Sequence, residues 1–85
     1  MIEVFKTNVK EDSQANLLID QIHNTFKGHE ANFDLDDCDK ILRVKYPAGF
    51  IEPALLIQLL NDFGFYAEVL SDGLQPVNGL ITSNV

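Results

Sequence analysis

The spacing of apolar residues switches between two periods along this chain, and this switching restricts the fold more than any other feature. Residues 2–9 alternate, with Ile2 and Val4 on one face and Phe5 on the other, which is typical of a β-strand. In residues 13–27 the apolar side chains recur at helical spacing and form one stripe. The stripe comprises Ala15, Leu18, Ile19, Ile22 and Phe26. The chain is therefore predicted to begin with a strand followed by an amphipathic helix.

The second half of the chain repeats the same two patterns. Apolar residues alternate in "EANFDL" and again in "ILRVKY", and the intervening "DDCDK" breaks the pattern, which predicts a hairpin. Pro53 suits the first turn of a second helix, because its missing N–H would have no helical partner there. We expect this helix to run to Phe63, with an inward stripe of Leu56, Leu60 and Phe63. The segment "FYAEVL" predicts a final strand.

The order βαββαβ predicts an α+β, ferredoxin-like sandwich, in which a four-stranded antiparallel sheet carries two helices on one face. A chain of 85 residues builds one such core, assigned here to residues 1–70. Residues 71–85 are interpreted as a C-terminal tail, either without regular structure or with one short strand at "GLITS". In this topology the loops near 9–13, 36–40 and 62–65 share one end of the sandwich.

Charge and cysteine content restrict the partners. Thirteen acids against six bases give a net charge of −7, which argues against nucleic acid, because phosphates require a basic surface. A basic protein partner or a cation fits better. No apolar run reaches the roughly 18 to 20 residues of a membrane span, and the lone Cys38 forms no internal disulfide. We therefore expect a cytoplasmic protein without membrane contact, either a monomer or a weak homodimer.

Three segments together suggest a family: "VFKTNVKEDSQANLLIDQI", "ANFDLDDCDKILRVKY" and "IQLLNDFGFYAEVL". Their pattern resembles the heavy-metal-associated (HMA) domain of copper chaperones and metal-transporting ATPases over residues 2–70. Gly64 and Phe65 match the glycine–aromatic pair that opens the last strand in that family. The resemblance implies the ferredoxin-like fold and a metal-binding loop in front of the first helix.

The loop at that position lacks the metal ligands of the family. Laid over this sequence, the Met-x-Cys-x-x-Cys motif places its Met on Val9 and its two cysteines on Glu11 and Gln14. Because Cu(I) requires soft ligands, a carboxylate and an amide do not replace two thiolates. The resemblance therefore implies an HMA-like scaffold that has lost its soft-metal site, and no cofactor is expected. The degenerate loop consists of Glu11, Asp12, Ser13 and Gln14.

The same four residues, "EDSQ", are also a good helix cap. Asp12 or Ser13 is a favoured N-cap residue, and the acids Glu11 and Asp12 would stabilise the positive end of the helix dipole. Two interpretations stay open at this point, a cap alone or part of a binding site.

The predicted hairpin turn is unusually acidic. An EF-hand loop starting at Asp34 fails, because it would place Cys38 at its fifth position and Lys45 where a glutamate is required. The simpler interpretation is a solvated turn in which aspartates bond to their own backbone. The alternative is an interaction surface at the shared loop end, where these acids would join Glu11 and Asp12. Its candidate residues are Asp36, Asp37, Asp39 and Asp62.

Cysteine and histidine indicate no further site. Cys38 is interpreted as a residue of the hairpin without a functional role, and neither His23 nor His29 has a partner at ligand spacing.

Some apolar residues exceed what the core requires. Phe5, Ile41 and Tyr66 are expected on the sheet face away from the helices, and Leu55 and Leu59 on the outside of the second helix. Either the tail or a partner covers them, or they are ordinary scattered surface residues.

No catalytic constellation can be drawn from these residues. The sequence contains no glycine-rich phosphate loop, and a small two-layer sandwich seldom has the cleft that an enzyme needs. We therefore expect a protein that is not an enzyme. The leading hypothesis is a small binding or regulatory module on an HMA-like scaffold, and the alternative is a divalent-cation binding or transport protein that uses the loop carboxylates.

Overall fold

The computed structural model describes residues 1–70, and its elements follow the predicted order. They are β1 (Ile2–Thr7), α1 (Asp12–Thr25), β2 (Glu30–Asp34), β3 (Ile41–Lys45), α2 (Pro53–Asp62) and β4 (Ala67–Val69). The four strands form one antiparallel sheet in the order β2-β3-β1-β4. The predicted ferredoxin-like α+β fold is confirmed, and the predicted tail at 71–85 lies outside the described residues.

Both helices pack on one face of the sheet. Phe5 of β1 lies opposite Leu42 of β3, and Ala31 of β2 lies opposite Val44, so these side chains share a face. All belong to one buried cluster with residues of both helices, namely Leu18 and Ile22 of α1 and Leu56 and Leu60 of α2. Each fully buried large apolar side chain contributes roughly 1.5–3 kcal/mol relative to its exposed state. The expectation that Phe5 lies on the helix-free face is wrong, because its strand register pairs it with the buried Leu42.

The inward stripe of α2 differs from the prediction at two positions. Leu59 is 8% exposed and belongs to the core, whereas Phe63 is 43% exposed. The reason is that α2 ends at Asp62, so Phe63 is the C-cap residue and no longer continues the helical stripe. Leu55 is 48% exposed, as expected for an outward position.

The two helices are short. α1 has 14 residues and α2 has 10. Within residues 1–70 neither helix combines the length and the apolar character that crossing a lipid bilayer requires.

Candidate functional site

Three loops meet beyond the end of β1, as the topology predicts. The backbone N–H of Thr7 donates a hydrogen bond to the C=O of Asp39 at 3.1 Å, and the Thr7 hydroxyl donates to the C=O of Lys40 at 2.6 Å. On the other side, the backbone N–H of Tyr66 donates to the side-chain oxygen of Asn8 at 2.8 Å. The β1–α1 loop, the β2–β3 hairpin and the α2–β4 loop therefore share one end of the sandwich.

The residues "EDSQ" in the first of these loops form a helix cap. Glu11 has an extended backbone and is the N-cap residue, and it forms a capping box with Gln14. In this box the Gln14 side-chain oxygen accepts a hydrogen bond from the Glu11 backbone N–H at 3.3 Å. The segment is therefore a helix cap, but the N-cap residue is Glu11 and not Asp12 or Ser13, because α1 already begins at Asp12. Glu11 and Gln14, on which the predicted HMA resemblance places the two cysteines, are therefore joined by side chain–backbone hydrogen bonds.

The hairpin turn is held by local hydrogen bonds, as the solvated-turn interpretation predicts. The Asp37 carboxylate accepts the backbone N–H of Asp39 at 2.8 Å. Lys40 adopts a left-handed backbone with φ 49°, and its ammonium group donates to the C=O of Leu35 at 2.9 Å. Asp37 therefore has a structural role in this turn, whatever else the hairpin binds.

Charged groups gather on the outside of the turn. The side-chain ligand atoms of Asp37, Cys38 and Asp39 lie within 4.8 Å of one another. Lys6 approaches the Asp39 carboxylate at 3.7 Å, with both side chains more than a third exposed, so water screens this pair and it contributes at most about 1 kcal/mol. Cys38 is exposed and unpaired with any other cysteine.

Asp62 is placed differently from the other predicted interaction residues. Its carboxylate accepts a hydrogen bond from the Gln58 side chain one turn earlier in α2, at 2.8 Å. It lines a groove between α1 and α2 together with Gln21 and Phe63. Asp62 therefore belongs to the helix layer, on a surface separate from the hairpin.

A second groove runs between α1 and β2 and continues into the start of the hairpin. Its volume is about 400 Å³. Three aspartates and two asparagines contribute to its lining, together with apolar residues of the helix and the strand; Asn32 and Asp34 form its rim on β2, because their side chains alternate with the inward Phe33. The lining consists of Asp12, Ala15, Asn16, Ile19, Asn32, Phe33, Asp34, Leu35 and Asp36. We call this the acidic groove.

The polar residues of the acidic groove are suited to contact with a cationic group. These residues are aspartates and asparagines, with Asp12, Asn16 and Asp36 on the helix and hairpin sides of the groove and Asn32 and Asp34 at its rim, and its lining contains no lysine, arginine, histidine or cysteine. Carboxylates accept strong hydrogen bonds from ammonium and guanidinium groups. The partly buried Ile19 and Phe33 offer apolar contact for the aliphatic stem of a long basic side chain. The groove can therefore hold lysine or arginine side chains.

Sequence reasoning identified Asp12 and Asp36 of this groove but missed Asn16 and Asn32. The missing signal is the pairing of α1 with β2, which only the three-dimensional structure supplies. Asn16 comes one residue after the buried Ala15, so a position beside the apolar stripe was the available indication.

His23 has a role that the sequence did not reveal. Its ring nitrogen Nε2 accepts a hydrogen bond from the backbone N–H of Ala31 at 3.3 Å, which links α1 to the edge strand β2. His29 stacks on Tyr46 with ring centroids 4.2 Å apart. Both histidines are therefore engaged in structural contacts.

Exposed apolar and aromatic side chains lie away from the acidic groove. Phe50 is 87% exposed and lies beside Phe26 and Leu55 in a cavity at the start of α2. Tyr66 is half exposed, and its hydroxyl donates a hydrogen bond to Glu68. This hydrogen bond, with smaller contributions from desolvation and from the Glu68 charge, raises the pKa of Tyr66.

Comparison with known proteins identifies no relative of this chain. No family model, no curated protein and no solved structure matches this chain. The resemblance to HMA domains therefore stays a prediction drawn from the residues.

Proposed function

We propose that this protein is a small, non-catalytic binding module of the cytoplasm that docks a basic segment of a partner protein in the acidic groove. The observation that carries the proposal is the groove itself, which has Asp12 and Asp36 in its lining and Asp34 at its rim, without any basic residue in the lining. The HMA-like scaffold would then keep the loop end of the sandwich as its binding end, with carboxylates in place of thiolates.

Electrostatics supports a basic partner. Like charges that converge on a chain of net charge −7 repel one another, and a cationic partner relieves this repulsion. Complementary charge also accelerates association and disfavours wrong partners. Because exposed charges are screened over about 10 Å at 0.1 M salt, binding is expected to weaken as the salt concentration rises.

A peptide titration of the protein, monitored by the NMR resonances of its backbone amides, tests the proposal. The probe is a short acetylated peptide of alternating lysine and threonine, and its control is the peptide with glutamine in place of each lysine. We expect the lysine peptide to shift the amide resonances of residues around the acidic groove, and the glutamine peptide to shift none of them. Shifts spread evenly over the surface, or identical shifts with both peptides, would contradict the proposal.

Two matched triple variants separate the groove from the overall charge. The groove variant removes three negative charges from the groove and its rim by the changes Asp12→Asn, Asp34→Asn and Asp36→Asn. The control variant removes three negative charges elsewhere by the changes Asp20→Asn, Glu52→Gln and Asp62→Asn. The groove variant should raise the Kd for the lysine peptide by roughly tenfold, equivalent to about 1.4 kcal/mol. The control variant should change it much less. Equal losses in the two variants would show that only the net charge matters.

A second candidate function is the binding of a divalent cation at the hairpin. It is favoured by the ligand atoms of Asp37, Cys38 and Asp39, which lie within 4.8 Å of one another. Hard cations such as calcium need six or more oxygen ligands, and the Asp37 and Asp39 carboxylates already contact the Asp39 N–H and Lys6. Titration with calcium, magnesium and zinc tests this second function. Shifts of amide resonances confined to residues 36–39 would support cation binding at the hairpin, and the absence of any shift would exclude it.

A further inference from the structure

β2 is one of the two edge strands of the sheet, and within residues 1–70 no strand pairs with its outer side. The backbone N–H of Ala31 points to that outer side, because it donates to His23 on α1 and not to β3. Residues two apart in a strand direct their backbone groups to the same side. The N–H and C=O of Phe33 therefore also point outward, whereas those of Asn32 point to its β3 partner Arg43.

The pairing of β3 with β1 confirms this alternation independently. Met1 and Tyr46 exchange two backbone hydrogen bonds, at 2.8 and 2.9 Å. Residues two and four positions before Tyr46 must bond in the same direction, so Val44 and Leu42 also face β1. Their partners on β2, Ala31 and Phe33, consequently receive no hydrogen bond from β3.

Among residues 1–70, three successive backbone groups on the outer edge of β2 are thus left without a hydrogen-bond partner. They are the C=O of Ala31 and both the N–H and the C=O of Phe33, since His23 satisfies only the Ala31 N–H. Phe33 also lines the acidic groove. The open edge and the acidic groove therefore form one continuous surface.

We propose that the basic segment binds as an extended strand added to the outer edge of β2, opposite Phe33. This inference rests on the proposed function and specifies how the segment is held. Main-chain hydrogen bonds to the open edge supply affinity, and the flanking side chains supply selectivity, as in other cases of strand addition. The added strand would end before the Ala31 N–H, because this group already donates its hydrogen bond to His23.

Acidic side chains flank the edge of β2 and favour a basic occupant, most strongly on the helix side. Glu30 and Asp34 alternate with Ala31 and Phe33, so they lie on the helix-free face of the sheet. Asp12 and Asn16 of α1 flank the edge on the helix side. Alternate side chains of an added strand point to opposite faces. The set on the helix side meets Asp12 and Asn16, whereas the set on the helix-free face meets Glu30 and Asp34 with the basic Lys45 and Arg43 of β3 behind them. The helix side therefore selects a basic side chain more strongly than the helix-free face. A second copy of the same edge would place acid against acid, so these charges disfavour self-association.

Amide hydrogen exchange at Phe33 tests strand addition directly. When the lysine–threonine peptide saturates the protein, the Phe33 amide should exchange roughly tenfold more slowly, because it gains a hydrogen-bond partner. The Asn32 amide, which already bonds to β3, is the internal control and should change much less. Groove resonances that shift while Phe33 exchange stays unchanged would overturn strand addition and leave the proposed function standing. Absence of any binding would overturn both.

A peptide variant gives a second test that does not alter the protein. N-methylation of every backbone nitrogen keeps the lysine charges but removes the donors that would reach the C=O groups of Ala31 and Phe33. We expect this peptide to bind roughly tenfold more weakly than the parent. Equal affinity of the two peptides would show that side-chain charge alone holds the segment, and the proposed added strand would be wrong.

Discussion

The hydroxyl of Thr7 donates a 2.6 Å hydrogen bond to the backbone C=O of Lys40, which ties the end of β1 to the acidic hairpin. The same hydroxyl accepts the backbone N–H of Val9 at 3.2 Å. Thr7 is 5% exposed, so water cannot replace either bond. One buried side chain thus fixes the hairpin and the start of the β1–α1 loop relative to each other.

Thr7→Val should therefore destabilise the fold. Valine has nearly the same shape, but it leaves the Val9 N–H and the Lys40 C=O without this partner, and the cost of such groups is about 1–3 kcal/mol each. We expect the free energy of unfolding, measured by urea denaturation, to fall by about 1–3 kcal/mol. Thr25→Val, at the exposed end of α1, is the control and should have a much smaller effect. Equal effects would contradict the role assigned to the Thr7 hydroxyl.

Two glycines with positive φ should differ in their tolerance of alanine. Gly64 has φ +88° and open space where an added Cβ would lie, so Gly64→Ala costs only the left-handed backbone, about 1–2 kcal/mol. At Gly28, with φ +80°, an added Cβ would also lie 3.1 Å from Cε1 of Tyr46. The Tyr46 ring is confined by the stacked His29. Gly28→Ala should therefore lower the thermal midpoint more than Gly64→Ala, and the reverse order would contradict this account.

Glu11 should stabilise α1 as its N-cap residue. Glu11→Ala and Gln14→Ala each disrupt the capping box, and a lost cap typically costs about 0.5–2 kcal/mol. Because the two residues act together, the double variant should lose less than the sum of the single losses. Asp20→Ala in the middle of α1 is the control. Additive losses measured by urea denaturation would show that the two side chains act independently.

Copper(I) should bind no more tightly than at a single thiol. The predicted resemblance places the two family cysteines on Glu11 and Gln14, and both residues take part in the helix cap. Competition against a colorimetric Cu(I) chelator should detect only weak binding, and Cys38→Ser should abolish it. Tight binding that persists in the variant would reveal a soft-metal site that does not depend on the thiol.

The fold was predictable because each element carries its own pattern. In the structure, the helical stripe is buried at Leu18 and Ile22, and the alternating strand pattern is buried at Leu42 and Val44. Errors arose where an element ends or where both faces carry apolar residues. Phe63 continues the helical spacing but follows the last residue of α2, and the face of Phe5 was decided only by its pairing with Leu42.

The candidate site was predictable only in part. The acidic residues of the hairpin and of the start of α1 can be identified in the sequence, and the chain topology brings their two loops to the same end of the sandwich. The groove also depends on Asn16 and Asn32, which lie on different elements and become neighbours only through packing of α1 on β2. The bond between His23 and Ala31 is likewise a tertiary contact, and a lone histidine beside an apolar stripe gives no sign of it.

The rate of association between the protein and a fluorescent lysine–threonine peptide tests the central claim most directly. Stopped-flow measurements at low and high salt would compare the wild type with the variant in which Asp12, Asp34 and Asp36 are changed to asparagine. Because exposed charges act mainly by steering encounters, the wild-type association rate should fall steeply with salt, and the variant should associate more slowly with a smaller change in dissociation. Equal association rates for the two proteins at every salt concentration would contradict the acidic groove as the docking site.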